Sequence, residues 1–163
     1  MLSWIRLIMC LCIVMLLSMI ALPPEIRIFR PPFVLLYILY CQFFSEKSLG
    51  VSGLFLLGLC VDVCTQSLLG EHAFALVFTL GYASSKSRRF EGSSLSHQLF
   101  LIGLFCFIYQ LILQIIGLII GDHQPWWSAP LTGLIGAWFW PLMCFWLGTG
   151  RTRFKRAPGQ YWH

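Results

Sequence analysis

The sequence predicts an all-α fold: an integral membrane bundle of about six transmembrane helices, forming one polytopic domain over residues 1–163. Three observations predict it. Apolar residues make up 58% of the chain and charged residues 10%, against about 25% charged in an average soluble domain. A water-soluble chain of 163 residues has too small an interior to hide that much apolar surface. The apolar residues also fall into six runs, parted by short stretches that hold nearly all the charge. Disorder needs low hydrophobicity and is excluded by the same composition.

Each run is measured against the roughly 20 apolar residues that span the hydrocarbon layer. The first covers residues 7–22 and stops at Pro23-Pro24. Arg6 followed by an apolar run also fits a signal peptide, but no small-x-small cleavage pattern precedes Pro23, so a retained helix is the better reading. The second covers 32–44, with Pro32 in a first turn that needs no N–H from it. The third covers 49–69, the fourth 73–85, the fifth 97–120 and the sixth 127–147. The second and fourth are short, as helices are when neighbours shield them or the bilayer is thin beside them.

Positive charge then sets orientation, because Lys and Arg collect on the cytoplasmic side. With the N-terminus inside, the inner segments hold Arg6, Lys47, Lys86, Arg88, Arg89, Arg151, Arg153, Lys155 and Arg156, and the outer ones only Arg27 and Arg30. Both termini are therefore expected in the cytoplasm. The net charge of +5 is a topology signal. The run "RTRFKR" directly follows a membrane segment and fits anionic lipid better than nucleic acid.

No cofactor or metal is expected. The seven Cys, at 10, 12, 41, 60, 64, 106 and 144, all lie in apolar runs and read as small buried hydrophobes. "CVDVC" at 60–64 has no His nearby to complete a zinc set. The motifs of soluble nucleotide, metalloprotease and serine hydrolase sites are missing. The His residues lie at interfaces or the terminus, none at metal-ligand spacing.

Candidate site residues are those that do not belong in lipid. Asp62 falls in the middle of the third run, where a carboxylate costs about 2.5 to 3.5 kcal/mol on insertion scales and must face protein or water. At helical spacing it shares a face with Gly58, Thr65 and Leu69, and Gly58 allows a second backbone to approach. In the fifth run Gly103, Cys106, Gln110, Gln114, Gly117 and Gly121 form one narrow stripe, a packing face whose Gln side chains hydrogen-bond across helices. In the sixth, Trp138 and Trp140 lie deep and Pro141 is expected to kink the helix. Arg30, Pro31 and Phe33 stand at the outer rim of the second, with Arg30 breaking the charge rule. A headgroup anchor and a cation offered to a partner's carboxylate both fit Arg30.

Several stretches together resemble the rod shape-determining MreD family. "FRPPFVLLYILY" is similar to its Arg-Pro start of a Leu-rich helix. "GLCVDVCTQSLLG" is similar to its Gly-x-x-x-Asp segment followed by Leu-Gly, here Gly58, Asp62, Leu69 and Gly70. "FWPLMCFW" is similar to its Trp-Pro final helix, here Trp140 and Pro141, before a basic tail. The resemblance covers about residues 25–83 and 136–156; between 90 and 134 only hydropathy matches. It implies a non-catalytic part of the cell-elongation machinery that binds the bitopic protein MreC. It further implies indirect links to MreB filaments, to the polymerase RodA and to a class B penicillin-binding protein. A fold similar to the substrate-binding subunits of ECF transporters is implied as well. Two other readings compete. A small-molecule-binding transporter subunit needs a polar cavity, for which only Asp62, Gln110 and Gln114 are available. An intramembrane aspartyl peptidase of the lipoprotein signal peptidase kind needs paired carboxylates, which only Asp62 and Asp122 offer.

Overall fold

The computed structural model describes residues 2–19, 31–44, 50–84, 94–121 and 125–147. These form six helices: α1 (Leu2–Met19), α2 (Phe33–Phe44), α3 (Val51–Thr65), α4 (Glu71–Ser84), α5 (Leu95–Ile120) and α6 (Ser128–Leu147). No strand occurs among the described residues.

The shortest helix sits at the centre. In α2 every side chain from Val34 to Leu39 is buried. A helix apolar all round is stable only where all its faces are covered, and α2 packs against α1, α4, α5 and α6. The remaining helices follow one another around it, α1 beside α3, α3 beside α4, α4 beside α5 and α5 beside α6. Pro32 starts α2 by accepting the Leu36 N–H at 3.0 Å. Its own missing N–H would have had no helical partner there.

Small residues bring α5 and α6 together. A Cβ on Gly133 would lie 2.9 Å from the Gly103 carbonyl oxygen, and one on Gly136 would collide with the Cys106 side chain. Helices in lipid gain nothing from hydrophobic association, so close backbone packing of this kind holds them. Both helices are long and apolar enough to cross a membrane, while α2 and α3 are shorter apolar helices.

Two boundaries differ from the hydropathy reading. α3 ends at Thr65 rather than 69, because Gln66 turns left-handed at φ 54° and the polar Gln66 and Ser67 lead into the turn before Leu68 and Leu69. Asp62 therefore lies in the last turn of α3, not in its middle. α1 begins at Leu2, since "LSWIR" forms helix readily although its hydropathy is lower. α6 carries Pro141 within it, exposed at the helix surface. The two deep tryptophans part company: Trp140 is 1% exposed, beside Tyr40 at 6.5 Å between rings, and Trp138 is 80% exposed. Of the cysteines, Cys10, Cys41 and Cys106 are buried, whereas Cys12 and Cys60 face outward, and all seven are free.

Candidate functional site

The hairpin of α3 and α4 closes around Asp62. Gly58, one turn earlier, lies so close to the backbone of Ala73 that any Cβ there would overlap it. This contact fixes how α4 crosses α3. Beyond Asp62 the helix runs only to Thr65. The Thr65 hydroxyl donates to the Val61 carbonyl at 2.8 Å, Gln66 adopts the left-handed conformation, and the Ser67 N–H returns to the Asp62 carbonyl at 3.1 Å. Gly70 then takes φ +101°, a conformation that L side chains rarely adopt.

The Asp62 side chain is fully buried. Its Oδ2 accepts the Gly70 N–H at 2.8 Å. Its Oδ1 accepts the His72 N–H at 2.8 Å and the Ser67 hydroxyl at 3.2 Å. The His72 Nδ1 stands 3.1 Å from the same oxygen. Gly70 and His72 stand at the start of α4, where helical N–H groups lack intrahelical partners. A carboxylate at that end also meets the positive pole of the helix dipole. Asp62 thus caps α4 from the end of α3, and its negative charge is held by three hydrogen bonds within ten residues of chain. The Glu71 N–H adds a bond to the Leu68 carbonyl at 3.1 Å, and the Phe74 N–H starts the helix proper on the Gly70 carbonyl at 2.8 Å.

Asp62, His72 and Ser67 do not make a nucleophile relay. Such a relay sets the acid on one imidazole nitrogen and the hydroxyl on the other. Here Ser67 Oγ lies 3.3 Å from Nδ1, the nitrogen that faces Asp62. The His72 ring packs edge-on against Tyr109 of α5 at 6.2 Å, which ties the hairpin to its neighbour.

A second polar joint holds α5 to α6. Gln114 Nε2 donates to the Pro125 carbonyl at 3.0 Å and to Ser128 Oγ at 2.6 Å. The Thr132 hydroxyl returns to the Ser128 carbonyl at 2.9 Å. The stripe on α5 is thus divided. Gly103 and Cys106 meet α6, Gln110 is half-buried and Gly117 buried, and Gly121 ends the helix at φ +92° by donating to the Gly117 carbonyl.

The Phe33 ring meets Phe139 edge-on at 5.8 Å, and Pro31 accepts the Phe33 N–H at 2.8 Å. Arg30 and Asp122 lie outside the described residues. So do Lys47, Lys86 and the other basic residues of the loops and tail. The sequence reading missed Ser67 and His72 as partners of Asp62. A signal was present in "SLLGEH", where Glu71 follows Gly70, since acidic residues are enriched in the first turn of a helix.

The family model described as rod shape-determining protein MreD matches residues 1–148. The rod shape-determining protein MreD of Haemophilus influenzae is 25% identical over 140 residues, covering 86% of this chain and 86% of that protein. No solved structure matches the chain.

Proposed function

The chain belongs to the MreD family of rod shape-determining proteins, and from that premise we propose that it is a non-catalytic scaffold of cell elongation in the bacterial inner membrane. In this reading it binds an MreC-like bitopic partner. Through that partner it joins MreB filaments, RodA and a class B penicillin-binding protein, and so influences lateral peptidoglycan synthesis. The observation that best supports a scaffold is how the internal polar groups are used. Asp62 joins α3 to α4 and Gln114 joins α5 to α6. With those groups engaged in holding the bundle, recognition falls to helix surfaces and loop rims. The test is affinity purification of the tagged protein in mild detergent, with identification of what accompanies it, alongside depletion in growing cells. Recovery of a bitopic partner and rounding of depleted cells are expected. Absence of any such partner, with rods persisting after depletion, would refute the reading.

The same reading assigns Arg30, Pro31 and Phe33 to the rim where the partner's helix leaves the membrane. Phe33 is half-buried against α6, and the two prolines restrict the backbone in front of it. A two-pronged contact with a carboxylate requires the planar guanidinium. Arg30→Lys is therefore expected to lower recovery of the partner at matched expression, and Arg27→Lys to leave it unchanged. Equal recovery for Arg30→Lys, Arg30→Ala and the native chain would reduce Arg30 to a headgroup anchor.

A further inference from the structure

We propose that the turn joining α3 to α4 ends inside the apolar layer of the membrane, short of its surface, with Leu68 and Leu69 against lipid acyl chains. The proposal rests on the chain being a membrane protein, and four observations carry it.

The first is length. α3 has 15 residues and α4 has 14, about 22 and 21 Å at 1.5 Å per residue, against a hydrocarbon core of about 30 Å. The second is level. His72, at the start of α4, lies beside Tyr109. From Tyr109, α5 runs on to Ile120, a further rise of about 16 Å. That upper stretch exposes Ile115, Leu118, Ile119 and Ile120, so the apolar layer reaches well above the hairpin's end.

The third is hydrogen bonding. A turn at the water surface can leave its N–H groups to solvent. Irregular backbone at membrane depth must be satisfied by protein. Of the seven N–H groups from Gln66 to His72, those of Gln66, Ser67, Gly70, Glu71 and His72 have protein acceptors, two of them on the Asp62 carboxylate. The fourth is the surface of the turn. Leu68 is 51% exposed and Leu69 74%. The polar side chains point the other way, Ser67 and His72 to Asp62, with Glu71 half-buried and engaged. Gln66 is exposed and uncharged.

Together these leave a step: an apolar wall of α5 above an apolar hairpin tip. Lipid fills such a step by thinning locally, at modest cost. Gly58 and Asp62 then favour a submerged turn, one setting the crossing and the other accepting the Gly70 and His72 N–H groups where water is excluded.

The test places a nitroxide on a bioorthogonal keto residue at position 69, which leaves the seven native cysteines untouched. The full chain is reconstituted in phosphatidylethanolamine–phosphatidylglycerol vesicles. Collision rates are read with oxygen, which enters hydrocarbon, and with a nickel chelate, which stays in water. Position 78, on the exposed face of α4, and position 94, before α5, serve as references. The expected oxygen-to-nickel ratio at 69 matches that at 78 and is several-fold above that at 94. A ratio at 69 equal to that at 94 would overturn the proposal. Equal ratios at 78 and 94 would refute the membrane placement itself, a failure distinguishable from the first. A label at position 68 repeats the measurement should the variant at 69 fold poorly.

Discussion

The Asp62 carboxylate spans the last turn of one helix and the first of the next, so its substitutions separate charge from hydrogen bonding. Asp62→Leu leaves the Gly70 and His72 N–H groups buried without acceptors, at about 1 to 3 kcal/mol each. Asp62→Asn keeps one oxygen and loses one acceptor, because its amide nitrogen can only donate. Thermal unfolding in detergent should rank the native chain above Asn and Asn above Leu. Equal midpoints for the two variants would show that charge, rather than bond count, holds the hairpin. Gly70 provides a second residue-scale test. There is open space around its Cα, yet φ is +101°. Gly70→Ala should therefore lose about 1 to 2 kcal/mol from backbone strain alone, visible as a lowered midpoint with no change in packing.

At the scale of elements, the two hairpins share a plan: a glycine sets the crossing and a polar side chain nearer the turn locks it. Gly58 with Asp62 serves α3 and α4, and Gly103 with Gln114 serves α5 and α6. They differ in tolerance. The nearest atoms to a Cβ at Gly58 are the backbone and Cβ of Ala73, which cannot move aside without shifting α4. At Gly136 the obstacle is the Cys106 side chain. Gly136→Ala should accordingly be rescued in part by Cys106→Ala, whereas Gly58→Ala should find no rescue even from Ala73→Gly, because the obstructing Cα and N of residue 73 remain. A double-mutant cycle on thermal stability measures this coupling. Gln114→Leu should loosen the start of α6, since Ser128 and the Pro125 carbonyl lose their donor, and hydrogen exchange there should accelerate.

For the whole molecule, orientation is the outstanding prediction. The nine-to-two division of Lys and Arg predicts both termini in the cytoplasm. Labelling from outside should reach a cysteine placed at Arg27 and miss one placed at Lys86 or at the C-terminus. A C-terminus labelled from outside would reverse the arrangement and move the α3–α4 turn to the inner leaflet. Among the described residues α2 lies at the centre of the bundle, with Leu35, Leu36, Ile38 and Leu39 none more than 1% exposed.

Composition and run length by themselves determined the all-helical class, the six apolar segments and Asp62 as the residue out of place, because transfer of groups from water to lipid is a local property of each stretch. The Gly-x-x-x-Asp spacing was likewise legible, since it follows from helical period alone. Where α3 stops was not legible, because Leu68 and Leu69 continue the apolar pattern through a turn that the Asp62 carboxylate holds closed. Nor does hydropathy tell Trp140 from Trp138, or reveal that the short α2 is central while the equally apolar α5 faces outward along one side. Those assignments depend on which neighbour covers each face, and only the tertiary packing decides them.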